Sequence, residues 1–148
     1  MKKKSVWLAV FAVLLAANLA FIWGNSALPG EASREISGNA MSWLGFLVST
    51  FGEYGEKVLR KLAHLAEFAS LGFLMTGFFR LLGKNSLLPV VLGGLFTACV
   101  DETIQIFSPE RASSLMDVWI DMGGFAAGIV LLLLGQLIIM KRKSTFGG

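Results

Sequence analysis

Cysteine occurs once in this sequence, at Cys99, so no disulfide can form within the chain. Because Cys99 lies in a long apolar run, we expect it to be a small core residue with no redox role. The sequence also has no nucleophile motif, no diagnostic metal-ligand spacing and no internal repeat. These absences exclude a disulfide-stapled fold, a repeat array and any enzyme that a short motif would identify.

Charge is scarce as well. Charged residues make up 16% of the 148 residues and hydrophobic ones 55%, with a mean hydropathy of +0.68. This composition is too apolar for an ordinary soluble fold and indicates a membrane protein with a single domain, residues 1–148. Four segments reach the roughly 20 residues that a bilayer core requires: residues 5–23, 62–82, 87–107 and 118–140. We therefore predict an all-α polytopic membrane helical bundle with four transmembrane helices.

The distribution of charge predicts the orientation. If the first segment runs outward, all ten acids lie outside and eight basic residues lie in the cytoplasm: Lys2, Lys3, Lys4, Arg80, Lys84, Lys141, Arg142 and Lys143. The positive-inside rule then predicts that both termini are cytoplasmic. The basic ends are topology signals that contact membrane lipids, and we expect no nucleic-acid partner. A cleavable signal peptide fits less well, because segment 5–23 is long for one and no good cleavage site follows.

The outer connection, residues 24–60, contains a short amphipathic segment. Its first half is expected to form surface structure near the headgroups, after a helix-breaking stretch that starts at Gly24. Over residues 41–51 the apolar side chains form one arc of a helix: Met41, Trp43, Leu44, Phe46, Leu47, Val48 and Phe51. Eleven residues span about 16 Å, too little to cross a bilayer. We expect this helix to lie in the outer leaflet or to cap the bundle, and Gly52 and Gly55 to end it.

Residues 101–124 hold ionisable groups between the uncharged stretches 87–100 and 122–140. One such group at the centre of a membrane helix costs roughly 2.5–3.5 kcal/mol, so the cluster indicates a functional site. The second helix begins, the third ends and the fourth begins at the same outer depth, which predicts a shared pocket open to the outer face. We predict as catalytic residues His64, Asp101, Glu102 and Asp117, and as substrate-binding residues Lys61, Gln105, Arg111 and Asp121.

The fourth helix carries two of these acids on one stripe with two glycines. Asp117, Asp121, Gly124 and Gly128 follow one another at intervals of three and four residues. A pair of glycines four residues apart lets another helix approach closely. We therefore expect this stripe to face the interior of the bundle.

The predicted pocket has three open interpretations. Its groups could simply form interhelical hydrogen bonds, which are worth on average about 0.6 kcal/mol each in membranes. The carboxylates outnumber the cationic groups, however, and protonation of some acids would suit general acid and base chemistry. A bound divalent cation would also relieve the repulsion, with oxygen ligands that suit Mg²⁺ or Ca²⁺ and a histidine that tolerates Zn²⁺. We predict no required cofactor and leave the cation open.

Four ordered motifs span about residues 23–134: Asn25-Ser26 before a proline, Lys61-x-x-His64-x-x-x-Phe68, Asp101-Glu102-x-x-Gln105-x-Phe107-x-Pro109-x-Arg111, and Asp117-x-x-x-Asp121-x-x-Gly124. Together they resemble the VanZ-like family of bacterial membrane proteins. Glu110 departs from the pattern, since a glycine is expected before the arginine. The resemblance implies a protein of the bacterial inner membrane and an accessory role in low-level resistance to the glycopeptide teicoplanin.

The sequence leads to three alternative hypotheses about function. The first is an enzyme that acts at the outer leaflet on a lipid or a lipid-linked envelope precursor, with Lys61 or Arg111 holding a phosphate or carboxylate. The second is a non-catalytic accessory protein that binds or sequesters a lipophilic ligand, such as a lipoglycopeptide, through the helix at residues 41–51. The third is a small proton- or ion-coupled transporter, which four unbroken helices make less favourable. The substrate and the oligomeric state are not predicted.

Overall fold

The computed structural model describes residues 2–40, 46–109, 111 and 113–146, and these ranges contain helices and no strand. The helices are α1 (Lys2–Ala27), α2 (Gly30–Ala40), α3 (Phe46–Phe51), α4 (Glu53–Leu81), α5 (Leu88–Ile106) and α6 (Leu115–Phe146). Four stretches are long and apolar enough to cross a membrane: Lys3–Ala27, Glu53–Leu81, Leu88–Ile106 and Leu115–Arg142. The predicted all-α bundle with four transmembrane helices is confirmed.

Helix α4 is the centre of the bundle, since it packs against every other helix and most extensively against α6. The contact between α4 and α6 depends on the predicted glycine pair. A Cβ atom added to Gly124 would overlap the carbonyl oxygen of Leu65, and one added to Gly128 would overlap that of Ala69. The two backbones approach this closely because no side chain stands between them. The prediction that both glycines face the interior is confirmed.

The apolar core lies where α1, α4, α5 and α6 meet. Phe68 of α4 and Phe125 of α6 are fully buried, and Ile22 joins them from α1. The Phe125 ring lies over Gly94 of α5, where an added Cβ would stand 2.6 Å from the ring. Many large apolar side chains instead cover the outside of the bundle, among them Leu92, Phe96, Trp119 and Leu131. An apolar exterior of this kind is suited to lipid contact.

The first helix ends later than predicted. The expected end at Trp23 was wrong, because the helix continues to Ala27 and the chain turns only at the following residues. Asn25 and Ser26, read in the sequence as part of a breaking stretch, are buried. Their side chains hydrogen-bond to α4 and α5, so the polar residues extend the helix into the bundle instead of ending it.

The outer connection contains more helix than predicted. Residues 30–40 form α2, which had been expected only as surface structure, and residues 46–51 of the predicted amphipathic helix form α3. Residues 41–45 of that prediction lie outside the described residues. Gly52, with a φ of 55°, separates α3 from α4 in a conformation that favours glycine. Gly55 does not break the helix as expected, since it is buried within the first turn of α4.

Candidate functional site

Hydrogen-bonding and charged residues gather at one end of the bundle, where α1 ends, α4 begins, α5 ends and α6 begins. We call this the polar end. The other end carries basic residues near the helix termini, with Arg80 in the last turn of α4, Lys84 in the turn before α5 and Arg142 near the end of α6. The two ends therefore differ in charge, since the acids that the structure describes lie at the polar end.

Asp101 of α5 is the most buried acid of the polar end, with no exposed surface. The Ser26 hydroxyl donates to its Oδ1 at 2.6 Å, and the Gln105 amide donates to its Oδ2 at 2.8 Å. Each carboxylate oxygen thus accepts one hydrogen bond, which leaves each a second lone pair. The contact with Ser26 also joins α5 to the last turn of α1.

Glu102 links α5 to the start of α6. Its Oε2 accepts the backbone N–H of Ser114 at 2.8 Å, while its Oε1 is buried and has no hydrogen-bond partner. The Ser114 hydroxyl in turn accepts the N–H of Met116, which makes Ser114 the N-cap of α6. Glu102 is 5% exposed, so an unpartnered oxygen on this carboxylate is costly unless something occupies the space before it.

Arg111 lies in the connection between α5 and α6 and reaches back to α1. Its Nη2 donates to the carbonyl oxygen of Asn25 at 2.8 Å, while Nε and Nη1 are buried without a partner. Burial, then the positive charge of Arg60, lowers the pKa of the Arg111 guanidinium, and the nearby acids Asp101, Glu67 and Glu102 oppose that shift. A guanidinium stays protonated at physiological pH even so. Arg111 is therefore a cation with two unused donor groups.

His64 and Glu67 occupy one face of α4. Glu67 Oε1 accepts from the Asn25 amide at 3.1 Å, and Asn25 Oδ1 accepts from Ser33 of α2. Glu67 Oε2 stands 3.7 Å from His64 Nδ1, too far for a hydrogen bond, and both atoms are buried without a partner. His64 is 9% exposed. The polar end thus contains polar atoms that its own network does not satisfy.

A small cavity opens among these groups. It is lined by Arg60, Lys61, His64, Glu102, Gln105, Asp117, Ile120 and Asp121. The space available to water centres is about 20 Å³, enough for about one water or an ion. At its rim Lys61 Nζ and Asp117 Oδ1 form an ion pair at 2.5 Å, with side chains that are 43% and 24% exposed. Asp117 also lies in the first turn of α6, where the helix dipole favours an acid.

Three side chains at the base of the polar end come close enough to bind one ion together. One ligand-type atom each from His64, Asp101 and Asp121 lies within 4.8 Å of the other two, so α4, α5 and α6 contribute one group apiece. Asp121 is 2% exposed and makes no hydrogen bond or ion pair with any residue that the structure describes. A nitrogen and two carboxylate oxygens form a donor set that could hold a divalent cation.

The structure brings the eight predicted site residues together at the polar end, but in two layers. Those that line the cavity are Lys61, His64, Glu102, Gln105, Asp117 and Asp121. Asp101 lies behind this layer, held by Ser26 and Gln105, and Arg111 lies beside α1. Their assignment as catalytic and substrate-binding residues stays a prediction.

Sequence reasoning missed several members of the network. Arg60 was not assigned to the site, but it lines the cavity. Asn25, Ser26 and Ser33 were not assigned to the site, although they hydrogen-bond to its acids or to each other. Ser108 was also missed, and its hydroxyl donates to the carbonyl oxygen of Ser26. For Asn25 and Ser26 the sequence did contain a signal, since the pair follows directly after an apolar helix and is one of the motifs that carry the family resemblance.

The fold and this buried polar end define a multi-pass membrane protein. The family model described as VanZ/LLP1 matches residues 5–139, which is most of the chain. The chain belongs to the VanZ/LLP1 family. No curated protein and no solved structure matches it.

Proposed function

We propose that the protein lies in the bacterial inner membrane with its polar end facing outward, and that this end binds the anionic part of a lipid or a lipid-linked envelope precursor. Through that substrate the protein would lower the susceptibility of the cell to teicoplanin. The observation that carries the proposal is the cavity at the polar end, which combines cations with buried acids and a histidine. Membership of the VanZ/LLP1 family supports the link with teicoplanin that the sequence resemblance implies.

The orientation follows from the contrast between the two ends. Arg80, Lys84 and Arg142 lie at the end opposite to the cavity, as do Lys3 and Lys4 at the start of α1. Basic residues next to transmembrane helices are retained in the cytoplasm. Both termini would then be cytoplasmic, and the cavity would open toward the envelope, where lipid-linked precursors are used.

The cations suit an anionic group. Arg60 and Lys61 line the cavity, and Arg111 lies nearby with Nε and Nη1 unpartnered. A phosphate or carboxylate could accept from these donors, and hydrogen bonds to charged groups are worth about 1.5–3 kcal/mol each. The cavity itself has room for little more than a water, so the bulk of the ligand would remain in the membrane and only its anionic group would enter.

The acids and the histidine supply proton-transfer groups beside that anionic group. His64 and Glu102 line the cavity, and each has one buried polar atom without a partner. A ligand in the cavity could therefore contact them directly, as general acid–base chemistry requires. Asp101 does not line the cavity and would act through Gln105, which does and which donates to its Oδ2. Asp117 would balance Lys61 until a ligand displaces that ion pair.

The test is lipid retention, measured by native mass spectrometry on the full chain released from membranes in mild detergent. Wild type should retain a phosphate-bearing lipid. Loss of one cation in the R60Q or K61Q variant should weaken retention by about 10–100-fold, the equivalent of one charge-assisted hydrogen bond. K84Q removes a positive charge from the opposite end and is the matched control. Equal retention by all four proteins would contradict the proposed binding role.

A further inference from the structure

We propose that His64, Asp101 and Asp121 bind a divalent transition-metal ion at the base of the polar end. The ligand-type atoms of these three residues lie within 4.8 Å of one another. Each comes from a different transmembrane helix, so a bound ion would join α4, α5 and α6. The inference does not rest on the proposed function, because metal binding can be measured without a substrate.

The distances need only a small adjustment to suit a metal. Zinc binds histidine nitrogen and carboxylate oxygen at about 2.0–2.2 Å, which sets the ligand atoms of a tetrahedral site about 3.3–3.6 Å apart. From separations of up to 4.8 Å, the atoms would close by no more than about 1.5 Å. Small rotations of the three side chains about their χ torsions can supply such a movement.

The second observation is a buried acid without a partner. Asp121 is 2% exposed, lines the cavity and makes no hydrogen bond or ion pair with any described residue. A carboxylate in such a place is costly unless it is neutralised. Glu102 adds a second case, because it is 5% exposed and its buried Oε1, on the wall of the same cavity, also lacks a partner. A cation bound by the three-residue cluster would neutralise Asp121.

Asp101 accepts hydrogen bonds of the kind that orient carboxylate ligands in metal sites. Ligating carboxylates are commonly hydrogen-bonded by neighbours that fix their orientation. Asp101 has two such neighbours, Ser26 and Gln105, one on each oxygen. Each oxygen keeps a second lone pair, so the hydrogen bonds leave the carboxylate able to bind a metal.

The donor set selects among cations. Magnesium and calcium prefer sites made of oxygen ligands alone, whereas an imidazole suits zinc and other transition metals. Two aspartates and a neutral histidine would balance the charge of a divalent ion. The cavity has room for about one water, which could complete the coordination as in zinc sites with three protein ligands.

The experiment measures metal content of the full chain purified in detergent. The protein is treated with a chelator, dialysed against Zn²⁺ or Mn²⁺ alone, and analysed by inductively coupled plasma mass spectrometry. Wild type should retain about one ion per chain, as a single three-ligand site would. The D121N and H64Q variants should bind the ion at least about 10-fold more weakly than wild type. S26A should also bind it about 10-fold more weakly, because this substitution removes a hydrogen bond that orients Asp101.

E53Q is the matched control, since Glu53 is an exposed acid in the first turn of α4 and lies outside both the cavity and the three-residue cluster. It should bind metal as wild type does. Circular dichroism verifies that every variant remains helical. The inference is overturned if wild type retains neither ion, or if folded D121N and H64Q bind as tightly as wild type. A chain that protects its host against teicoplanin but binds neither ion would overturn this inference alone.

Discussion

The contact between α4 and α6 can be tested by adding a single methyl group. A Cβ atom at position 128 would overlap the carbonyl oxygen of Ala69 and stand 2.8 Å from the Ala69 carbonyl carbon and from the Phe73 amide nitrogen. All three obstructing atoms are backbone, so no side chain can rotate away. The Gly128→Ala variant must therefore push the two helices apart.

The size of the effect follows from two opposing contributions. Overpacking costs about 1–3 kcal/mol, and an obstacle of backbone atoms favours the upper part of that range, about 2–3 kcal/mol. Replacement of glycine by alanine within a helix returns about 0.5–1 kcal/mol. The net loss of stability should be about 1–2.5 kcal/mol. Gly135→Ala on the same helix is the control, because an added Cβ there meets nothing within 4 Å.

The assay is reversible unfolding of the full chain in mixed micelles, followed by circular dichroism. Gly135→Ala should be as stable as wild type or slightly more stable, and Gly128→Ala clearly less stable. If Gly128→Ala proved as stable as Gly135→Ala, the close approach of α6 to α4 would be wrong. Because His64 lies on α4 and Asp121 on α6, the arrangement of the polar end would then also need revision.

Two further predictions concern the polar end. Ser26→Ala removes the donor to Oδ1 of fully buried Asp101 and should destabilise the protein by about 1–3 kcal/mol in the same unfolding assay. Ser113→Ala is the control and should have little effect, because Ser113 is exposed. Orientation can be tested with single introduced cysteines, once the native Cys99, which was expected in the core but is exposed, has been replaced by alanine. A cysteine at exposed position 53 should react with a membrane-impermeant maleimide in intact cells, and one at exposed position 84 only after the cells are opened. The reverse pattern would contradict an outward polar end.

Much of the fold could be predicted from the sequence because charged residues interrupt the apolar runs. The helix that ends in Asp101 and Gln105 and the helix that begins near Asp117 are separated by a short polar connection, so their acids had to lie at one depth. The glycine pair in α6 predicted its inward face, and the structure agrees. These features depend on local pattern and short connections, which a sequence contains.

The end of α1 could not be predicted in the same way. Hydropathy falls at Gly24, and a fall of that kind normally indicates a membrane boundary. Asn25 and Ser26 are helical because they bond to Glu67 and Asp101, which lie 42 and 75 positions away. Arg60 was missed for a related reason, since a basic residue near a helix end usually reaches toward the headgroups. Only tertiary contacts distinguish such residues from ordinary boundary residues.

The most direct test of whether the function of the protein requires the polar end is the teicoplanin susceptibility of a sensitive bacterial host. The host would express wild type, His64→Gln, Asp101→Asn or the opposite-end control Lys84→Gln, with membrane levels matched by immunoblot. We expect wild type and Lys84→Gln to protect the host, and the two polar-end variants to give the susceptibility of the empty vector. Equal protection by all four proteins would contradict a functional role for the polar end and leave its network a structural one.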